Sequence, residues 1–411
     1  MNRILKTFSL FAMAFMTMAA FTACDKSGGN EGGLTAQEKE MQAVVEQYVP
    51  GVIYSIYKDL ADESNDLYEL LAAASAKGVS ALSQGEIDAI CAKFLQARQS
   101  WEESEAFLIG AATDFAIDPH IDTWPLDLDA LAVALKNKDQ IEALKGEDGI
   151  AYAAGKLGAE LLGFHGIEFI LFRNGKNRTV ASLNTVESNP VFVANGASSV
   201  TGEQELVYAA AVAGDLRDNC FRLYASWDAD CAARYADRCE ELEVSTTIGS
   251  KSYGENMLSA TKAGSTYATW QEVCADILVG GCSGIANEVA NVKMGNAHSG
   301  EDENYIESPY SEKSFQDFID NVLSVQYSLY GESMATSAKK NSLVSFMKNN
   351  GYDGVSALES ALSSSLAALK ACQAKGSFVQ IYKDELVQKA MDAVNDLDTE
   401  LNKAASWIVL Q

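Results

Sequence analysis

The chain contains three histidines, and one of them stands in a strongly apolar stretch. In "LLGFHGIEFILF", Leu161 to Phe172, ten of twelve residues are apolar or glycine, and the other two are His165 and Glu168. Burying an imidazole and a carboxylate in such a run is costly unless each finds a partner. Two kinds of partner are open: hydrogen bonds within a core, or a metal ion held by one nitrogen and one oxygen. A His followed by Glu three residues later arises by chance in roughly one chain in five of this size, so the apolar setting carries more weight than the spacing.

In a helix the two residues share a face. They fall on the series Gly158, Leu161, His165, Glu168, Phe172, whose alternating threes and fours are those of a buried stripe. Glycines at 158, 163 and 166 weaken a helix but admit a close neighbour. A second stripe, Ile87, Cys91, Phe94, Arg98, Trp101, Glu105, Leu108, is interrupted by Arg98 and Glu105. Either Arg98 pairs with Glu102 at i+4 and Glu105 sits at the rim, or Glu105 faces the interior reached by His165 and Glu168. In the second case Arg98, Trp101, Glu102, Ser104 and Trp124 form a supporting shell. The loop "DPHIDTWPLD" is stiffened by Pro119 and Pro125; Asp118 and Asp127 read as helix caps, and Asp122, just before Trp124, is aimed at the site.

One imidazole with the carboxylates of Glu105, Asp122 and Glu168, drawn from separate helices, suits a metal ion, iron first and zinc second. A zinc peptidase is the rival. It needs three protein ligands, an open position for water and a base, yet neither HExxH nor HxxEH occurs, and only His120 and His298 could add an imidazole. A non-metal ligand or partner protein is the third reading.

Those residues require helices to position them. There are five prolines, and the long proline-free intervals rich in Ala, Leu, Glu and Lys predict helices at about 36–74, 86–112, 148–173, 203–228, 267–294, 311–330, 354–373 and 383–407. Strand-like alternation is scarce, so the expected class is all-α. The polar segment 174–201 reads as a connection between two helical-bundle domains, 36–200 and 201–411, with an ancient duplication as one origin. In the last of these regions, Phe315, Phe318, Val322, Val325 and Leu329 make an apolar stripe, while Ser314, Asp317, Asn321, Ser324 and Ser328 line another face. That face is either solvated or, with Tyr310 and Ser311 before it, an interface with a polar pocket.

The N-terminus, Arg3 and Lys6 followed by an apolar run and "AFTAC", reads as a lipoprotein signal over residues 1–23, with Cys24 as the lipidated residue. Residues 24–35 then form a flexible tether, and no later segment is read as a membrane helix. The expected location is the cell envelope, anchored by lipid and facing periplasm or cell surface. Losing Arg3 and Lys6 takes the formal charge from −26 to −28, which repels nucleic acid and mildly favours cations. Seven cysteines follow Cys24, and an exported chain permits one or two disulfides between Cys220 and Cys282.

"GFHGIEFILF" resembles the Gly-x-His-x-x-Glu motif of the imelysin-like proteins. "WEESEAFLIG" with "IDTWPLD" resembles that family's upstream pattern, and "YSEKSFQDFIDNVLSVQYSLYG" its C-terminal signature. The resemblance implies a two-domain, all-helical fold with a site near the domain interface. It carries His165 and Glu168 as the motif pair, and Glu105 and Asp122 as the upstream match. The family is labelled a metallopeptidase family, while some members are iron-regulated and distant relatives serve iron uptake. A role in metal uptake, with a metal ion or metal-containing ligand and an uptake-system protein as partners, is what it implies here.

Overall fold

The computed structural model describes residues 33–411, so the signal sequence, Cys24 and most of the tether lie outside the described residues. Helix accounts for 70% of the described residues, and the strands among them are one two-residue pair, Phe172–Arg173 with Lys176–Asn177; the class is all-α.

Ala36–Tyr48 runs through a π-helical turn, Val49–Tyr54, into Ser55–Lys77. The next helix, Gln84–Glu102, opens with a capping box between Ser83 and Glu86, which satisfies its first free N–H groups. It stops at Glu102 and does not continue to 112. Ser104 turns its hydroxyl back onto the Trp101 carbonyl at 2.7 Å, a local bond that competes with helix. A 3₁₀ turn, Glu105–Phe107, follows.

The helix expected over 148–173 is two pieces, Gly146–Lys156 and Gly163–Leu171, separated by the turn Ala159–Leu161. Gly163 explains the break. Its φ is +67°, and a Cβ there would lie 2.0 Å from the Ile121 carbonyl oxygen. Only glycine allows that approach, and it seats the start of the His165 helix against the short Asp118–Ile121 turn. Gly158 and Leu161 therefore do not share a helix with His165, and Phe172 belongs to the hairpin, whereas His165 and Glu168 do share one.

Gly202–Trp227, Ser314–Tyr330, Val355–Lys375 and Glu385–Ile408 lie close to where periodicity put them. Segment 174–201 carries its own short helices, Val180–Leu183 and Pro190–Ala194. The helical run from 270 to 299 contains two π-helical turns, Ile277–Ser283 and Val289–Lys293. By length and composition this run does reach the membrane-helix range, contrary to expectation, with mean hydropathy 1.3 over its most apolar stretch. However, 61% of that stretch is buried in protein, and it is a core helix.

Residues Ala36–Gln411 form one compact unit. Gly202–Trp227 packs along Ser55–Lys77 and against Gly146–Lys156 and Gly163–Leu171, with Gln84–Glu102 alongside. Val355–Lys375 and Glu385–Ile408 pack together with Ser314–Tyr330 and the 270–299 run. The two groups meet where Ser314–Tyr330 touches Gln84–Glu102. The described cysteines are all free thiols: no disulfide joins the Cys220–Cys282 cluster, where Cys220, Cys239, Cys274 and Cys282 are buried as small apolar side chains.

Candidate metal centre

Asp122 is the hub of the site. It ends the Asp118–Ile121 turn, where its N–H donates to the Asp118 carbonyl at 2.9 Å. Its Oδ2 accepts from Trp101 Nε1 at 2.8 Å, and its Oδ1 meets His165 Nε2 at 2.9 Å and the Arg98 guanidinium. Burial alone would raise the Asp122 pKa, but Arg98 and His165 hold it well below the usual carboxylate range. Burial would likewise lower that of His165, yet its hydrogen bond to Asp122 and the nearby Glu168 carboxylate push it up to about 9. The imidazole is therefore charged at neutral pH in the metal-free protein, and any ion that ligates it must displace its proton.

Arg98 Nη2 reaches further, to Glu307 Oε1 at 2.8 Å, to Glu102, and to Asp317 Oδ2 at 4.0 Å. On the other side Lys293 Nζ lies 3.1 Å from Glu307, 3.5 Å from Glu105 and 3.6 Å from Glu102. Asn321 Nδ2 donates to Glu102 Oε2 at 2.5 Å. Burial, opposed by Lys293 and reinforced by Glu102, pushes Glu307 up to about 7; burial also raises Glu105 and Asp317 well above the usual range. Glu307 Oε2, Asp317 Oδ2 and Glu168 Oε2 are buried with no hydrogen-bond partner.

Three sets of donors lie close enough for an ion, each with its atoms within 4.8 Å of one another: Asp122, His165 and Glu307; Glu102, Glu307 and Asp317; and Glu102, Glu105 and Asp122. The first fits a transition metal best. It supplies one imidazole nitrogen and two carboxylates, and the unpaired oxygen of Glu307 is the kind of buried acceptor that a cation would satisfy. Arg98 bridges the two carboxylates of that set and orients both. A cleft of about 420 Å³ leads to His165, walled by Trp124, Leu126 and Tyr310, with Asp127, Asp129 and Glu303 also lining it. The Trp124 ring packs on Tyr305, centroids 4.0 Å apart.

The structure brings Asp122, His165, Arg98, Trp101 and Glu102 together. Arg98 pairs with Glu102, as the i+4 spacing suggested, and also with residues far away in sequence. Glu105 joins through Lys293 and shares a donor set with Asp122 and Glu102, not with His165. Glu168 points its Oε1 at the turn 310–311, accepting from Tyr310 N at 3.1 Å and from Ser311 N and Oγ at 2.7 Å each. Its other oxygen faces His165 Nδ1 at 3.8 Å. Ser104 bonds within its own turn. The polar face of Ser314–Tyr330 is buried: Ser314 binds the Glu307 carbonyl, and Ser324 Oγ accepts the Ala106 N–H at 3.0 Å.

Sequence reasoning missed Glu307 and Lys293. Glu307 precedes a Ser-Pro pair in "YIESPYSE" and sits on no periodic element, so no stripe flagged it. Lys293 had a signal: it is the first basic residue of the apolar run "ILVGGCSGIANEVANVK".

The imelysin family profile matches residues 53–404. No curated protein matches the chain. Among solved structures, a Parabacteroides distasonis ATCC 8503 protein named as an iron-regulated protein A precursor aligns with a TM-score of 0.71 at 23% identity, covering 92% of this chain and 97% of that one. An imelysin-like protein from Psychrobacter arcticum 273-4 aligns at 0.57 and 12% identity, covering 90% and 94%. At those identities the structures share the fold, and the profile match over most of the sequence decides the rest: the chain belongs to the imelysin family.

Proposed function

We propose that this chain is an exported, lipid-anchored envelope protein that binds a metal ion, iron most readily, and serves metal uptake. The observation that carries the reading is the buried Asp122–His165–Glu307 set at the foot of an acidic-mouthed cleft. A nitrogen and two carboxylate ligands suit ferrous or ferric ion, and zinc less selectively. The iron-regulated name of the structural relative and the lipoprotein-type N-terminus support it. Glu168, Trp101 and Arg98 act as the outer groups that fix the ligands.

The test is elemental analysis of the purified chain after anaerobic Fe(II), and separately Zn(II), followed by desalting. Wild type should retain a stoichiometric ion, and His165→Ala and Asp122→Asn should each lose more than about tenfold in affinity. Equal retention by wild type and both variants would overturn the site.

A further inference from the structure

Among the described residues, Lys293 is the only buried lysine. It comes from a π-helical turn inside a core helix, and its ammonium meets nothing but carboxylates: Glu307 at 3.1 Å, Glu105 at 3.5 Å and Glu102 at 3.6 Å. Three carboxylates facing one ammonium at these distances, two from the bend at 102–105 and one from the loop at 307, outline a cation position. A hard divalent ion would need them at about 2.0–2.6 Å, roughly an ångström of inward movement for each side chain. Glu307 belongs both to this shell and to the Asp122–His165 set, so it is the carboxylate that would bridge two ions. Bridged pairs of that kind are the basis of two-metal hydrolytic chemistry.

We propose that Lys293 is a resident cation filling a second ion position made by Glu102, Glu105 and Glu307, and that it restricts the centre to a single metal. The ammonium offsets part of the shell's negative charge with a tethered single charge. It has no open coordination site and polarises no water, so it closes the two-metal route while keeping Glu307 in place for the first ion. The restriction to one metal rests on the metal reading above; the second position itself does not.

The test uses Mn(II) as the probe, with bound ions counted by elemental analysis after desalting, and folding followed by circular dichroism and melting. Wild type should hold no more than one Mn(II) per chain, Lys293→Met should hold one more than wild type, and Lys293→Arg should keep the wild-type count. The apo form of Lys293→Met should melt below wild type and recover on adding Mn(II), because three crowded carboxylates then regain a cation. If wild type binds none and Lys293→Met binds one, the metal reading fails and the second position stands. A second ion in wild type, or a folded Lys293→Met with the wild-type count, overturns the proposal. If Lys293→Met folds in neither condition, Lys293→Gln, whose amide still donates to these carboxylates, is counted in its place by the same criterion.

Discussion

Glu168 Oε1 lies 2.7 Å from the backbone N–H of Ser311, 143 residues away in sequence, and the same oxygen accepts the Ser311 hydroxyl and the Tyr310 N–H. The glutamate of the motif therefore fastens the Gly163–Leu171 helix to the turn that follows Glu307. It positions Glu307 by holding the chain beside it, and through Oε2 it faces the His165 imidazole.

Replacing Glu168 separates these roles. Glu168→Gln keeps a carbonyl acceptor for the turn and should cost about 1 kcal/mol, whereas Glu168→Ala leaves two buried donors and one half-buried donor unpaired and should cost about 3–5 kcal/mol. Urea denaturation of the metal-free proteins measures both. If Glu168→Gln binds iron within a few-fold of wild type, positioning is its role; a loss as large as that of His165→Ala would make it a direct ligand.

Gly163→Ala is expected to be severe for a change of one methyl group. The backbone has positive φ, and the added carbon collides with the Ile121 carbonyl, one residue before Asp122. A destabilisation of about 2–4 kcal/mol should be accompanied by weakened metal binding, because the Asp122–His165 distance depends on this contact. A variant with wild-type melting and affinity would show that the two segments are not registered through Gly163.

Fold stability and metal affinity should run in opposite directions from neutral to alkaline pH. His165 is raised from its ordinary 6.5 to about 9, so its ion pair stabilises the fold fully below 6.5, and that contribution is lost as pH rises through 9. Asp122, held low, contributes above its ordinary range and loses its contribution only in strong acid. Glu307, raised to about 7, favours the fold when protonated, and that contribution drains away between about 4.5 and 7. Metal-free stability should therefore fall from pH 6 to pH 9.5, while iron affinity rises over the same interval as His165 and Glu307 release their protons. Urea midpoints and metal titrations at a series of pH values check both slopes; His165→Gln should flatten the alkaline part of the stability curve.

Peptide hydrolysis is expected to be absent. Glu102, Glu105 and Glu307 are each tied to Arg98 or Lys293, Glu168 is fastened to the 310–311 turn, and the centre presents one imidazole where zinc peptidases combine several ligands with a free base. Unfolded casein incubated with the iron- or zinc-loaded chain should show no cleavage above background. Metal-dependent cleavage that disappears in His165→Ala would establish the peptidase reading instead.

Much of this was written in local sequence. Apolar periodicity located the long helices because burial of a stripe is a property of neighbouring residues, and the three-residue step from His165 to Glu168 put both on one helix. Asp122 stood out as an acid before a stiff Trp-Pro turn, and Arg98 as a charge in an apolar face. Where the periodic argument ran past a break it failed: it joined Gly158 and Leu161 to the His165 helix, and carried the helix of Arg98 through Glu105. Both breaks depend on tertiary contact or short-range bonds, the Gly163 approach to Ile121 and the Ser104 turn, which periodicity does not register. The partners were decided by tertiary structure alone. Glu307 and Lys293 lie about 130 to 210 residues from His165 and Arg98, on a loop and on a widened helical turn, and no local pattern connects them. A buried charge announces that it needs a partner, but which charge comes to meet it is fixed only when the helices pack.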